Sequence, residues 1–147
     1  VSPKKRSGTQ SAANSNSRPP EPQRVYLDES LDSESLAAAL TEAGISVIRG
    51  SRHVPRGTPD DVWLGECGTH GWIVLTRDKR IRYRVLERTA LQENGVKAYV
   101  FTGGNVSLAA TVEIIVGAMP KILKIAGETA APFIFHIGVD GRPKRMD

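Results

Sequence analysis

Five short apolar runs, at 25–27, 45–48, 72–76, 96–101 and 133–137, alternate along the chain with stretches that repeat at helical spacing. Runs of this length and composition form buried strands. Strands that alternate with helices build βαβ units, and right-handed crossovers lay those strands parallel with helices on both faces. The expected fold is therefore α/β: a three-layer α/β/α sandwich with a mostly parallel central sheet of four to five strands. In such a sheet, ligands sit at the carboxyl ends of the strands.

Two of the runs end on acids. Val25-Tyr26-Leu27 stops at Asp28-Glu29-Ser30, and Trp72 to Thr76 runs through Arg77 into Asp78. Between them, Leu36, Ala39, Leu40 and Ala43 mark one face of a helix that Gly44 ends. The segment from Arg49 to His53 reads as a loop. Thr58-Pro59-Asp60-Asp61 reads as a helix start, with Thr58 as N-cap and Pro59 at the first helical position. Trp63, Leu64 and Cys67 form the apolar face of this helix. Residues 80–85 alternate as a strand would, but their continuation through Gln92 favours a helix. Ser107 is expected to cap a long helix with core positions Leu108, Val112, Ile115, Met119, Ile122 and Ala126, kinked or divided by Pro120. Three regions result: a disordered basic and polar tail (1–23), a folded domain (24–138) and a polar C-terminal end (139–147).

Charge is unevenly placed. Residues 1–24 carry five basic residues against Glu21, whereas the rest holds fifteen of each sign, so any basic patch on the folded part must come from segregation. The single cysteine, Cys67, excludes an internal disulfide and suits a reducing cytoplasm. No apolar run approaches the ~20 residues of a membrane span, and no apolar stretch follows the N-terminal charges as in a secretory signal. A cytoplasmic protein without a membrane partner is expected.

The strand-end acids Asp28 and Asp78 share one edge of the sheet. Asp60 precedes Trp63, Leu64 and Cys67 by three, four and seven residues, which places it on the helix face that packs on the sheet. Asp61 is rotated away and fits a capping role. Three converging carboxylates repel one another, and a hard divalent cation such as Mg²⁺ relieves that repulsion. Such a site activates water and neutralises a phosphodiester. The plainer alternative is that these acids cap helices and end strands.

Arg77, Lys79, Arg80, Arg82, Arg84 and Arg88 gather beside Asp78. On a helix, Arg80, Arg84 and Arg88 would form one stripe suited to a phosphate backbone, or a solvated face partly paired to Glu87. His53, Cys67 and His70 lack a fourth zinc ligand, and Cys67 already fits an apolar face. Gly103-Gly104-Asn105 reads as a turn at the rim of the cleft, where Asn105 is a candidate phosphate contact.

Leu27-Asp28-Glu29, the run from Gly57 to Leu64, and Gly71-Trp72-Ile73-Val74-Leu75-Thr76-Arg77-Asp78-Lys79 together resemble the PIN-like nucleases, in the compact form seen among VapC-type toxins of bacterial toxin–antitoxin pairs. The resemblance covers residues 25–137. It implies a Mg²⁺- or Mn²⁺-dependent endoribonuclease, neutralised by a protein antitoxin that covers the cleft. Carried over by motif, Asp28, Asp60 and Asp78 are the catalytic and metal-binding acids, and Thr76 supports the last of them; with RNA as the substrate, the neighbouring Arg77, Lys79, Arg80 and Arg84, and Asn105 at the rim, are the expected RNA contacts. The family usually offers a fourth acid on an early helix. Glu42 sits next to a helix end and fits that role poorly, so Glu29 or Asp61 completes the set, or the site holds one metal. Expected partners are RNA, an antitoxin and a second copy of the chain in a homodimer. Two other readings remain: a catalytically silent module that binds RNA or protein, and a phosphoryl-switch domain of receiver type. The latter expects an acid at the end of the middle strand, where the chain has Ile48-Arg49-Gly50.

Overall fold

A computed structural model describes residues 23–146. The tail expected to be disordered lies outside these residues except for Gln23. Strands β1 (Arg24–Leu27), β2 (Ser46–Arg49), β3 (Ile73–Thr76), β4 (Lys97–Phe101), β5 (Phe133–Ile137) and β6 (Pro143–Arg145) form one sheet in the order β2-β1-β3-β4-β5-β6. The first five are parallel and β6 is antiparallel to β5. The chain steps outward from β1 to β2 and then back across β1 to β3. The order therefore reverses between β1 and β3, and in open sheets of this kind the crevice opens at that reversal.

Side-chain alternation sorts the sheet into two cores. Val25, Leu27, Ile73 and Leu75 pack with Leu36 and Leu40 of α1 (Glu34–Glu42) and with Ile115, Met119 and Ile122 of α5 (Leu108–Glu128). Tyr26 and Val74 face the other way, against Trp63, Leu64 and Cys67 of α3 (Asp60–His70) and Ala90 and Leu91 of α4 (Val85–Asn94). Thr76 has the parity of Val74. The polar ends of β1 and β3 are thus presented beneath α3 and α4.

Local signals explain most boundaries. The Ser33 and Ser107 hydroxyls accept from Leu36 N and Ala110 N, so the expected Ser107 cap is present. Gly71 and Gly95 end α3 and α4 in the left-handed conformation that only glycine adopts without strain.

Several expectations need correction. The sheet has six strands, because the polar C-terminal end turns at Gly138–Gly141 and returns as β6. Pro143, Lys144 and Arg145 carry no strand pattern, yet they suit an edge that bonds on one side only. The Arg49–His53 loop contains a short helix, α2 (Gly50–His53). α3 begins at Asp60 with Pro59 at its N-cap, since the Thr58 hydroxyl turns back to donate to Pro55 O. α5 is a single helix: Pro120 lies on its exposed side, where the carbonyl one turn earlier can bond to water. Leu108 is exposed, and Thr111 and Ala118 join the buried face. The arginines after Asp78 form no continuous helical stripe. Residues Lys79–Arg82 form a 3-10 turn capped by Asp78, and Arg84, extended at φ −71° and ψ 130°, caps α4.

α3 and α4 pack closely because Gly68 leaves room for Asn94. A Cβ at position 68 would lie 2.6 Å from Asn94 Cβ. Gly68→Ala is expected to destabilise the protein by about 1–3 kcal/mol, read from its urea unfolding midpoint. An unchanged midpoint would show that the two helices separate without cost.

Candidate active site

Hydroxyl groups join the ends of β1 and β3. Asp28 N donates to Leu75 O at 2.9 Å, which carries the strand pairing one residue past β1. Thr76 Oγ1, buried, donates to Asp28 Oδ2 at 2.7 Å and accepts from Asp78 N at 3.0 Å. Ser30 Oγ donates to the same Asp28 oxygen at 2.6 Å and accepts from Arg77 N at 3.0 Å. Two hydroxyl protons therefore converge on Asp28 Oδ2, while Oδ1 receives no hydrogen bond among the described residues.

A carboxylate cluster lies beside this junction. Asp60, Asp78 and Glu87 each offer an oxygen, all within 4.8 Å of one another. Asp60 opens α3, and its Oδ1 accepts from Trp63 Nε1 at 2.9 Å. Asp78 Oδ1 accepts from the Arg80 backbone N and from its Nε, both at 3.0 Å. Burial pushes the Asp78 carboxyl up, but the side-chain and backbone hydrogen bonds from Arg80 more than offset this and leave it below the ordinary value.

Glu87 is the member that sequence reasoning placed elsewhere, as a partner for a basic stripe. It is 7% exposed, its nearest cation is Arg84 at 3.8 Å, and its Oε2 is buried with no hydrogen-bond partner. Burial raises its pKa, and the charge of Asp60 adds to the effect. The signal for Glu87 was legible: it precedes Ala90 and Leu91 by three and four residues, the spacing that singled out Asp60.

The other candidates are dispersed. Asp28 is outside the 4.8 Å group but lines a cavity with Glu29 and Asp60. Asp61 and Glu42 are also outside the group, and Glu42 is exposed on α1. Arg77 is held in place: its guanidinium donates to Thr111 Oγ1 at 3.0 Å and lies 5.0 Å from the Phe101 ring centroid. Lys79, Arg80, Arg84 and Arg88 are exposed, as is Asn105. His53 pairs with Glu66, His70 stacks on Trp72 and Cys67 is fully buried, so none of the three joins a metal-ligand group among the described residues. No helix among the described residues is long and apolar enough to cross a membrane.

The donor set is all oxygen, suited to a hard divalent ion, and the orphaned Glu87 Oε2 supplies the unmet demand for a cation. Residues 23–103 match the sequence model of a family described as PIN like domain, just over half of the chain and the part that carries Asp28, Asp60, Asp78 and Glu87. No curated protein and no solved structure matches the chain.

Proposed function

The chain belongs to the PIN-like domain family, and from that premise we propose that it is a metal-dependent endoribonuclease, the toxin of a toxin–antitoxin pair. The observation that carries this reading is the buried, unpartnered Glu87 Oε2 beside Asp60 and Asp78. A buried carboxylate oxygen without a donor is costly, and a cation removes that cost. Asp60, Asp78 and Glu87 would hold Mg²⁺ or Mn²⁺. When bound, the ion supplies charge neutralisation at the phosphodiester and a water made acidic enough to attack phosphorus.

The chain's own groups supply the rest. Thr76 and Ser30 hold Asp28 Oδ2, which leaves Oδ1 to accept a proton from the attacking water. Exposed Lys79, Arg80 and Arg84 attract the RNA backbone, with Asn105 at the rim, while Arg77 fixes the Gly103–Asn105 loop through Gly104 O. Val62, Tyr83, Val85 and Leu86 expose apolar surface beside Asp60 and Glu87. That surface supports a protein partner, the antitoxin, seated across the cleft.

A second reading, a catalytically silent module that binds RNA or protein, is favoured by one contact. The Arg80 side chain occupies both Asp78 oxygens, at 3.0 and 3.4 Å, as a built-in counter-ion. Cleavage of a mixed single-stranded and structured RNA pool in Mg²⁺, Mn²⁺ or EDTA separates the two. Metal-dependent cutting supports the nuclease; no cutting, together with no Mg²⁺ or Mn²⁺ binding, leaves the silent module.

Replacing Arg80 and Arg84 together by Ala is expected to weaken RNA binding and to flatten its log–log salt slope by about 1.4, the contribution of two phosphate contacts on a single strand. An unchanged slope would remove these arginines from the RNA interface.

A further inference from the structure

Between the end of β1, helix α2, the 54–58 loop and the start of α3 lies a cavity of about 230 Å³, of which the cleavage chemistry uses only the wall made by Asp28 and Asp60. It is many times the roughly 10–15 Å³ that one water needs, and smaller than the roughly 300–1,000 Å³ of pockets for drug-sized ligands. A single planar ring system with its polar edge is the natural occupant. Asp28 and Asp60 form one wall, so whatever enters lies next to the carboxylate cluster.

Tyr26 and Trp63 line the cavity as a stacked pair, centroids 5.2 Å apart and planes inclined by 11°. Tyr26 is 1% exposed, and its hydroxyl has no hydrogen-bond partner among the described residues, yet it is not sealed from solvent. The cavity is where such a hydroxyl finds access. A phenol keeps its proton at neutral pH, so the Tyr26 hydroxyl is available there as a donor. Gly50 keeps this end open: a Cβ there would lie 3.0 Å from Tyr26 Cζ and 2.5 Å from Leu27 O. Arg56 and Thr58 add polar groups at the mouth, while Val54 and Pro55 supply apolar wall.

We propose that this cavity is a nucleobase subsite, which takes one unstacked base flanking the scissile phosphate and reads it through the Tyr26 hydroxyl. The assignment rests on the RNA substrate proposed above. A base must leave its stack to enter, so the preferred substrate is single-stranded at the cut, as is general for sequence-specific RNA recognition. Tyr26 supplies a donor, so the favoured base presents an acceptor at that position. An isolated hydrogen bond inside a water-poor pocket discriminates well, because the wrong base leaves the donor unpaired.

The test uses the full chain in EDTA with the four ribonucleosides as probes, which removes any dependence on metal or catalysis. The indole N–H signal of Trp63, at the cavity wall, is followed by NMR, with Trp72 as the internal reference. A saturable shift of Trp63 is expected with at least one nucleoside. Tyr26→Phe should weaken that binding about tenfold, and Val54→Phe, which narrows the cavity without touching the hydroxyl, should reduce it independently. No saturable shift with any nucleoside, or binding by both variants equal to that of the unaltered chain, overturns the subsite. Nucleoside binding without RNA cleavage would leave the subsite standing and remove the nuclease. Cleavage without nucleoside binding would do the reverse.

Discussion

Asp78→Asn is expected to lower RNA cleavage by about 10³-fold or more while the folded structure survives. Each tenfold in rate is 1.36 kcal/mol of barrier, and a metal site that neutralises phosphodiester charge supplies several kcal/mol. Asparagine keeps the shape of the side chain and can still accept from Arg80 N, so the 3-10 turn retains its cap. What it loses is the charge shared with Asp60 and Glu87. Parallel assays in Mg²⁺ with the unaltered chain read the effect directly. Full activity in the variant would take Asp78 out of the catalytic set, whereas loss of activity together with loss of the folded baseline would assign it a structural role. Because Asp78 titrates below its ordinary value of 3.8, its charged form supports the fold at neutral pH, and that support is lost only as pH falls through the lowered value.

Glu87→Gln should have the second largest effect, with opposite signs in the two states of the site. Without metal, the Glu87 carboxyl has a raised pKa, so the folded state holds its proton more tightly than the unfolded chain does. Its contribution favours folding below the ordinary value of 4.5 and is lost as pH rises through the raised value. The metal-free protein is therefore expected to lose stability across that window, and glutamine should abolish this part of the slope and raise the melting temperature at pH 7. With Mg²⁺ the order inverts. The unaltered chain gains stability by mass action, and the variant, lacking one ligand charge, gains much less. Melting temperatures at pH 5 and pH 7, with and without Mg²⁺, test both halves. Equal Mg²⁺ stabilisation of the two proteins would remove Glu87 from the metal site.

The two acids show how unequal the traces of one site are in sequence. Asp78 closes an apolar run and Asp28 another, and a carboxylate that terminates a strand is visible without any tertiary knowledge. Glu87 is easily misread despite its spacing to Ala90 and Leu91: Arg84 lies one turn before it and Arg88 directly after it, and a charged residue among arginines reads as a surface pair. The 3-10 turn at Lys79–Arg82 changes that meaning, because it uncouples Arg80 from α4 and gives it to Asp78, while α4 turns Glu87 inward. The cavity beside Tyr26 left still less trace. Its walls come from β1, α2, the start of α3 and a Pro-Arg-Gly-Thr loop whose composition says only that it turns.

Periodicity alone established the layered α/β architecture, the strand ends that face the crevice and the helix face that carries Asp60, because alternation of period two and three-to-four spacing are properties of the local chain. The order of the strands, the antiparallel β6, the meeting of Glu87 with Asp60 and Asp78, and the exposure of one tyrosine hydroxyl inside the fold came only with the tertiary structure. Each depends on groups far apart in sequence, brought together where the sheet reverses direction between β1 and β3. There the close packing of α3 on α4 decides which charges are buried and which remain in water.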